Sequence, residues 1–409
     1  MDPSAQRADA GRHLAMIGAR FGVGDKPAGS SQVHSGHVHD TYIVSYGSER
    51  DFRRYVHQRI SPIFADVSGL MSNLALICVH LEGKYAGGAL STPGAGGASE
   101  GGSPRRRPLR MLRSSDGEHY WVDPDQRAWR TFEMVEGAHP CEQVLTPFQA
   151  YQVGAAFGSY LATLDDLAPP APAGASRAPV LFETIPRFHD LDRYLAGLEE
   201  SAQEDVAGRM AQDGSAATLN EVLRRRWIAD EVRGAIAAGV LPKRTVHNDC
   251  KSANVLCDDI TGAWVCVIDL DTTMSGYVMH DFGDIVRTCA TSAAEDEEDP
   301  RLSCIDLDLF AAAATGYLNE CGWLLSDVEL DSLVLGALAM SYEAAVRFLT
   351  DYLRGDTYFH VESPTHNLRR CRAQLALLDS IVVNRAELAG IARGCQIACL
   401  GDSGSGGGR

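Results

Sequence analysis

Basic residues are scarce in this sequence. Its 409 residues include 37 Lys and Arg against 54 Asp and Glu, which gives a formal net charge of -17. Arg105-Arg106-Arg107 forms a cluster of positive charge, and this cluster lies in a stretch of low complexity. Because the phosphate backbone of a nucleic acid is bound by net or clustered Lys and Arg, we expect no nucleic-acid partner.

Cysteine patterns typical of zinc sites and disulfide frameworks are also missing. The 11 Cys residues are odd in number and scattered, without C-x-x-C spacing and without a paired His pattern. Zinc sites use such spacing, and small secreted domains use an even set of cysteines. We therefore predict free thiols in a reducing compartment.

Long apolar runs are absent as well. No uncharged apolar run reaches the roughly 18 residues that a membrane-crossing helix needs. The first residues, MDPSAQRADAGRHL, contain no apolar core of the length found in signal peptides. These patterns predict a cytoplasmic chain with no membrane partner. The 45% of apolar residues is enough to bury a sizeable core in one large or two modest domains.

A cluster of polar residues stands out between residues 245 and 271, TVHNDCKSANVLCDDITGAWVCVIDLD. Two apolar runs, 254–257 and 264–269, flank a loop rich in turn formers, which predicts a β-hairpin. Asn254 opens the first run and Asp269 ends the second. Pairing of the two strands should therefore bring these two side chains together.

The spacing of these residues fits phosphoryl transfer. Residues 247–254 read H-x-D-x-K-x-x-N, and Asp269 follows twenty residues after Asp249. Transfer from a nucleotide needs an acidic residue that orients the acceptor hydroxyl and takes its proton, and oxygen ligands for Mg²⁺. Asp249 is the candidate base, and Lys251 can reach the transferred phosphoryl group as a point charge. Asn254 and Asp269 are the candidate metal ligands.

The segments HNDCKSAN and VIDLDT resemble the catalytic motif of the aminoglycoside and choline kinase superfamily of phosphotransferases. Within that superfamily they are most similar to the bacterial N-acetylhexosamine 1-kinases. The resemblance implies an α+β, protein-kinase-like fold of two lobes, with a small antiparallel β-sheet in the N-lobe and a mostly helical C-lobe. It also implies ATP and Mg²⁺ as cofactors.

Composition and resemblance together predict how the chain is organised. We expect an N-terminal helical extension at residues 1–30, a nucleotide-binding N-lobe at 31–135 with a low-complexity insertion at 86–108, a helical C-lobe with the catalytic loop and substrate site at 136–400, and a flexible tail at 401–409.

The N-lobe should bind the nucleotide. A strand-turn-strand pattern at residues 33–44 is expected to cover its phosphates. The candidate contacts there are Gly36, His37 and Thr41. The usual strand lysine is absent, so Arg59 or Gln58 must replace it, and Arg59 is the better electrostatic candidate. Glu82 could pair with Arg59 or stay solvated.

Adenine recognition should fall at the end of the last N-lobe strand. Backbone groups from Glu133 to Val135, in the predicted connector between the lobes, are expected to hydrogen-bond to adenine. His37 and His39 are two residues apart and could share a face. Without a third ligand nearby, we interpret them as polar loop residues and not as metal ligands.

Two further segments, ETIPRFHD at 183–190 and RFLTDYLRGDTYF at 347–359, resemble the N-acetylhexosamine 1-kinases. The candidate acceptor contacts in them are Glu183, His189, Arg347 and Asp356. Their aromatic residues are better explained as core packing. Charged side chains are seldom buried unpaired, so at least one of Arg347, Asp351 and Asp356 should face the acceptor.

Two other acidic patterns are assigned structural roles. Asp281-Phe282-Gly283 spells the D-F-G of protein kinases, but it lies thirty-two residues beyond Asp249, whereas the metal ligand of the fold is expected at Asp269. We predict that Asp281 and Asp284 support the active-site loop and pair with Arg287. The acidic run EDEED at 295–299 is expected to be solvated.

These features predict an ATP- and Mg²⁺-dependent kinase that phosphorylates the anomeric hydroxyl of an N-acetylhexosamine, GlcNAc or GalNAc, to the sugar 1-phosphate. One alternative is a kinase of the same fold that acts on an aminoglycoside, choline or an amino alcohol. Another is a catalytically inactive nucleotide-binding scaffold. The missing N-lobe lysine favours the scaffold, whereas the intact Asp249, Asn254 and Asp269 oppose it.

Overall fold

The computed structural model describes residues 13–33, 38–48, 51–86, 106–167, 181, 185 and 188–404. The chain forms two compact units, with the main boundary between Gly137 and Ala138. Gly36, His37 and Glu183, three of the predicted site residues, lie outside the described residues.

The first unit is built on one antiparallel sheet with the strand order β1-β2-β3-β5-β4. Its strands are β1 (Pro27–Val33), β2 (Asp40–Ser48), β3 (Asp51–Arg59), β4 (Trp121–Val122) and β5 (Ala128–Glu133). Residues 13–20 are helical (α1), and a second helix, α2, spans Val67–Ala86.

Apolar residues at helical spacing fix α1 on this sheet. Leu14 and Ile17 of α1 and the following Phe21 are buried in one cluster with Val44 and Tyr46 of β2. The hydroxyl of Tyr46 donates to the carbonyl of Leu14 at 2.8 Å. Packing of an apolar helix stripe on a sheet face is what stabilises so short a helix.

The second unit is mostly helical. Its helices are α3 (Pro147–Thr163), α4 (Leu191–Glu204), α5 (Ser215–Arg224), α6 (Trp227–Ala237), α7 (Val278–Cys289), α8 (Leu307–Cys321), α9 (Asp327–Leu353) and α10 (His366–Gly404). Its strands are β6 (Ala138–Pro140), β7 (Arg244–Val246), β8 (Val255–Asp258), β9 (Trp264–Val267) and β10 (Met274–Gly276). They form a β6-β8-β9 sheet and a β7-β10 pair. The predicted α+β class, with a sheet-based first part and a helical second part, is confirmed.

The long helix α9 forms the centre of the second unit. Ser326 and Glu329 form a capping box at its start, and the Glu329 carboxylate also accepts from Arg244 Nε at 2.6 Å. Among the described residues, α9 alone is long and apolar enough to cross a membrane, but 83% of its most apolar window is buried inside the protein. The central helix of a globular core has the same length and hydropathy.

Two glycines bring α7 and α9 into close contact. A Cβ added to Gly336 of α9 would overlap the carbonyl oxygen of Met279, and one added to Gly283 of α7 would overlap the carbonyl oxygen of Gly336. Only glycine permits this approach of the two backbones. It matters for function because α7 carries Asp281.

We predict that Gly336→Ala lowers the free energy of unfolding by roughly 1–3 kcal/mol, because the added methyl group forces α7 and α9 apart. Gly390→Ala is the matched control: Gly390 lies in α10 with nothing within 4 Å of an added Cβ, and alanine should there stabilise the helix by up to about 1 kcal/mol. Urea denaturation measures both changes. Equal stability of the two variants would contradict the prediction.

Candidate active site

The predicted hairpin is present and positions the polar cluster. Strands β8 and β9 are antiparallel, with Val255 opposite Val267 and Leu256 opposite Cys266. At the open end of the hairpin, the carbonyl of Asn254 accepts from the amide of Ile268 at 2.9 Å. Asp269 follows directly, so the hairpin holds Asn254 and Asp269 next to each other, as predicted.

Lys251 lies between the carboxylates of Asp249 and Asp269. Its Nζ is 3.0 Å from Asp249 Oδ2 and 4.0 Å from Asp269 Oδ2. The side-chain nitrogen of Asn254 donates at 2.9 Å to the same Asp249 Oδ2 and at 2.9 Å to the Asp249 carbonyl. The four residues predicted from the H-x-D-x-K-x-x-N motif and from Asp269 therefore converge on one place.

The charges of this cluster stabilise one another. Burial raises the pKa of Asp249, but Lys251, His247 and the hydrogen bond from Asn254 outweigh burial and bring the pKa down to about 2. Burial likewise lowers the pKa of Lys251, and the two carboxylates raise it above its ordinary value. Both groups are charged at neutral pH. The side chains of Asp249 and Asp269 stay 29% and 38% exposed, so ligands can reach them.

His247 fixes the start of the catalytic loop. Its ring is fully buried and packs edge-on against Phe157 and Tyr160 of α3. Nδ1 accepts from the amide of Asp249 at 3.3 Å, so Nε2 carries the proton and donates to the carbonyl of Ile268 at 3.1 Å. His247 thus links Ile268, which precedes the candidate metal ligand Asp269, to the candidate base Asp249.

Asp281 holds the backbone of the same loop. Its Oδ2 accepts from the amide of His247 at 2.9 Å, and its Oδ1 accepts from the amide of Asn248 at 2.7 Å. Burial raises the pKa of Asp281, while His247 and these two backbone bonds oppose the rise. Asp284 pairs with Arg287 at 2.8 Å. The predicted support of the loop is therefore found for Asp281, and the predicted pairing with Arg287 for Asp284.

Two residues of the site have left-handed backbone conformations. The φ angles are +64° at Asn248 and +61° at Asp269. Asn and Asp tolerate this region better than other side-chain-bearing residues, but it still has to be held by surrounding contacts. For Asn248 these include the bond to Asp281 and a bond from its own Nδ2 to the carbonyl of Thr272 at 2.9 Å.

Arg347 is a predicted acceptor residue whose charge interacts with that of Asp249. Burial lowers the pKa of Arg347, and Tyr194, Glu343, Tyr358 and Asp249 together raise it above its ordinary value. Its guanidinium lies 5.5 Å from the Tyr194 ring, 5.8 Å from the Tyr358 ring and 5.7 Å from the Phe359 ring. Glu343 Oε1 is 3.4 Å from Arg347 Nη1. Three aromatic rings thus lie around the fixed positive charge of Arg347.

The substrate contact predicted for His189 does not fit its position. The residue is buried, with Nδ1 at 3.0 Å from Glu343 Oε2 and Nε2 at 3.0 Å from the carbonyl of Asn248. A carboxylate and a carbonyl both require a donor, so both ring nitrogens carry protons and neither is left for a sugar. His189 supports the catalytic loop instead.

The substrate contact predicted for Asp356 is also wrong, because its carboxylate is buried and already bound within the protein. One carboxylate oxygen accepts from Arg209 at 2.5 Å and the other from Asn367 at 2.9 Å, and the side chain is 5% exposed. Neighbouring Asp351 accepts from the amides of Thr357, Tyr358 and Phe359. These acids shape the turn that presents Tyr358 and Phe359 to Arg347.

In the first unit, the predicted replacement for the lysine is already paired. Arg59 forms an ion pair with Asp40, and Glu82 lies 3.8 Å from Arg110 and not beside Arg59. The hydroxyl of Thr41 accepts from Gln58 Nε2 at 3.1 Å.

Sequence reasoning missed Arg130, which is almost fully buried in β5. Its Nε donates to Gln58 Oε1 at 3.0 Å, so it is linked through Gln58 to Thr41. Side chains alternate between the two faces of a strand, and the order Trp129, Arg130, Thr131 gave no sign that the Arg130 side chain is buried. Its opposite neighbour in β3 is Gln58, which is where the sequence suggested a phosphate contact.

The backbone groups predicted to bind adenine are partly used within the first unit. The amide of Glu133 donates to the carbonyl of Arg110 at 2.9 Å, and that of Met134 donates to the carbonyl of Arg54 at 3.2 Å. Within the described residues, the amide of Val135 makes no backbone bond. Among the amides of the predicted range, that of Val135 is therefore the one that makes no backbone hydrogen bond to a described residue.

The acidic run at 295–299 is not simply solvated. Glu295 pairs with Arg287 at 2.8 Å, Asp296 lies 3.2 Å from His366, and Glu298 pairs with Arg369 at 2.8 Å. Basic residues of α7 and α10 thus attract this run. The contact with Arg287 links it to the helix that holds the catalytic loop.

We predict that Asp281→Asn lowers kcat, because an amide cannot accept from both His247 N and Asn248 N and turns a donor toward one of them. The lost bond should also reduce the free energy of unfolding by roughly 1–3 kcal/mol. Amide hydrogen exchange at residues 247 and 248 should become faster. Asp308→Asn, a change outside the catalytic loop, is the control; unchanged exchange in Asp281→Asn would contradict the assigned role.

Solved structures share this fold. The chain is similar to a microcompartment-associated aminopropanol kinase (TM-score 0.57, 17% identity, covering 93% of this chain and 98% of that one). It is similar to spectinomycin phosphotransferase in complex with ADP and spectinomycin (TM-score 0.54, 10% identity, 94% and 97% covered). It is also similar to the ethanolamine kinase of Plasmodium vivax (TM-score 0.54, 12% identity, 88% and 87% covered). At these identities the likeness establishes the protein-kinase-like fold.

The sequence itself matches a known family. The model of the phosphotransferase enzyme family, APH, matches residues 103–310, which include the whole catalytic stretch. That match spans half of the chain and contains the converging residues Asp249, Lys251, Asn254 and Asp269. The protein belongs to the phosphotransferase enzyme family.

Proposed function

We propose that this protein transfers the γ-phosphoryl group of ATP to the anomeric hydroxyl of an N-acetylhexosamine. The observation that carries the kinase chemistry is the convergence of Asp249, Asn254 and Asp269 around Lys251. The sugar acceptor rests on the segments ETIPRFHD and RFLTDYLRGDTYF and on the positive charge of Arg347 with the aromatic rings around it.

Asp249 has one oxygen to offer the acceptor. Lys251 and Asn254 both bind its Oδ2, whereas its Oδ1 makes no hydrogen bond within the described part of the chain. Oδ1 can therefore accept from the acceptor hydroxyl and point its oxygen at the phosphoryl group. A carboxylate with a low pKa is a weak base, which suits a loose transition state in which the proton moves late.

Asn254 and Asp269 fit a hard cation. Asn254 donates with its nitrogen to Asp249, so its amide oxygen is left as a ligand, and Asp269 adds a partly exposed carboxylate. A bound Mg²⁺ would neutralise charge on the nucleotide phosphates. Lys251 keeps Asp249 ionised and lies where it can reach the transferred group.

The acceptor side favours a neutral sugar over a cationic alcohol. The permanent positive charge of Arg347 interacts with the charge of Asp249, and the Tyr194, Tyr358 and Phe359 rings lie around the guanidinium. A guanidinium donates to hydroxyl or acetamido oxygens, while it repels an ammonium group. Aromatic rings contact the apolar face of a pyranose. The amino alcohols named for the aminopropanol and ethanolamine kinases carry the charge that Arg347 opposes.

We predict that N-acetylglucosamine or N-acetylgalactosamine supports ADP release, and that choline, ethanolamine and kanamycin do not. Arg347→Gln should raise the KM for the sugar at least about tenfold, because one buried charge-assisted bond is lost, and leave the KM for ATP nearly unchanged. Arg301→Gln, which removes an exposed charge, is the control. Turnover of choline or kanamycin in place of either sugar would overturn the acceptor assignment.

We predict that Asp249→Asn lowers kcat by roughly 10²- to 10⁴-fold, since the acceptor hydroxyl loses its proton acceptor. ATP affinity, measured by calorimetry in the presence of Mg²⁺, should stay close to wild type. Near-normal ADP release from this variant would remove Asp249 from its role. A wild-type protein that binds ATP but transfers to none of the acceptors tested would favour the scaffold alternative.

A further inference from the structure

A cavity of about 420 Å³ lies beside the catalytic loop in the second unit. Asn248 forms part of its wall, whereas Asp249, Lys251, Asn254, Asp269 and Arg347 do not. The cavity is therefore separate from the catalytic cluster, although it touches the residue directly before the candidate base.

The walls combine aliphatic, aromatic and polar side chains. Helices α4 and α6 contribute aliphatic side chains, including Leu191, Val232 and Ile236. Four further wall residues form a row of neighbouring rings. The ring centroids are 4.4 Å apart for Phe188 and His189, 4.7 Å for His189 and His280, and 6.0 Å for His280 and Tyr277. Such a row can contact the face of a small ring compound.

Several polar side chains in the wall make no hydrogen bond to any residue that the structure describes. His280 is 5% exposed, and within the described residues neither of its ring nitrogens makes a hydrogen bond. The same holds, across the described ranges, for the side-chain hydroxyls of Ser275 and Tyr277. His280 is buried, whereas Ser275 and Tyr277 are partly exposed. Because all three residues line the cavity, a ligand bound there can supply the hydrogen-bond partners that the described residues do not.

The charges around the cavity balance. Asp192 binds Arg233 through both carboxylate oxygens, at 2.7 and 2.8 Å. Asp190 caps α4 by accepting from the amide of Arg193 at 2.9 Å, and Lys243 stands at the rim, 5.8 Å from the Tyr277 ring. Burial and the charged His189 lower the pKa of His280 to about 3, so its imidazole is neutral. An uncharged ligand suits this balance better than an ion.

The cavity is connected to the catalytic loop by direct contacts. His280 packs on His189, and His189 donates to the carbonyl of Asn248 and to Glu343. Glu343 in turn lies 3.4 Å from Arg347. A ligand that holds His280 thereby restrains both the base-bearing loop and the acceptor arginine.

We propose that this cavity is a second small-molecule site, which binds an uncharged hydroxylated ring compound and alters turnover through His189 and Asn248. A saccharide or a nucleoside has this shared chemistry: an apolar ring face and hydroxyl groups. The site goes beyond the phosphotransfer reaction, and its binding can be measured without that reaction.

Cellobiose and adenosine serve as the two probes, titrated by calorimetry against the full chain saturated with a non-hydrolysable ATP analogue, Mg²⁺ and N-acetylglucosamine. Saturation blocks the catalytic site, so remaining heat reports a second site. We expect one probe to bind with a Kd below about 1 mM, and its identity tells the two sources apart. Absence of binding by both probes overturns the proposal.

Two variants test the location. Ala237→Trp fills the cavity from its exposed rim on α6 and should weaken binding at least tenfold, while basal kcat stays unchanged. Tyr277→Phe removes one hydroxyl and should weaken binding about three- to tenfold. Binding that persists in Ala237→Trp overturns the site, and so does binding that is lost only in Arg347→Gln, which places the probe in the acceptor site.

Turnover is the second readout. Saturating probe should change kcat at least twofold in wild type and not at all in Ala237→Trp. An unchanged kcat in wild type with bound probe overturns the coupling to the catalytic loop. If the sugar kinase assignment fails, calorimetric binding and its loss in Ala237→Trp still stand, so the two failures are distinguishable.

Discussion

The catalytic geometry depends on one buried carboxylate that accepts two consecutive backbone amides. Asp281 holds the amides of His247 and Asn248, and so keeps Asn248 in a left-handed conformation that the chain would not adopt by itself. The side chain of Asp249 is thereby turned toward Lys251 and Asn254. Asp281 itself is fixed by α7, whose distance from α9 is set by Gly283 and Gly336. The packing of α7 against α9 therefore influences the position of the candidate base Asp249 through only a few contacts.

A strongly acidic protein can still attract phosphates because the local charges differ from the net charge. The formal charge is -17, yet Lys251, Arg287 and Arg347 of the second unit are each held protonated by neighbouring groups. Charges on the far surface are screened over about 8–10 Å at physiological salt. In the proposed reaction, a nucleotide would therefore respond to the cations nearest to it more than to the overall charge.

Local spacing made the catalytic cluster predictable. Asp249, Lys251 and Asn254 are close in sequence, and a hairpin formed by two apolar runs brings Asp269 to them, so motif and turn chemistry suffice. The supporting role of Asp281 followed from its position after the second acid. His189 could not be placed this way, because its partner Glu343 is 154 residues away. Asp356 was misassigned for the same reason, since Arg209, which neutralises it, is 147 residues away. The pairing of Glu295 with Arg287 likewise forms only in the folded chain.

The catalytic hairpin carries thiols that solvent does not reach. Cys250, next to the base, is fully buried, and Cys257 and Cys266 of the paired strands are nearly so. Burial and nearby carboxylates raise the pKa of the Cys250 thiol well above its ordinary value, so it has almost no nucleophilic thiolate. An alkylating reagent can modify this cysteine only when the loop transiently opens. The rate at which Cys250 is alkylated therefore measures how often the catalytic loop opens, and it does so at the position next to the candidate base Asp249.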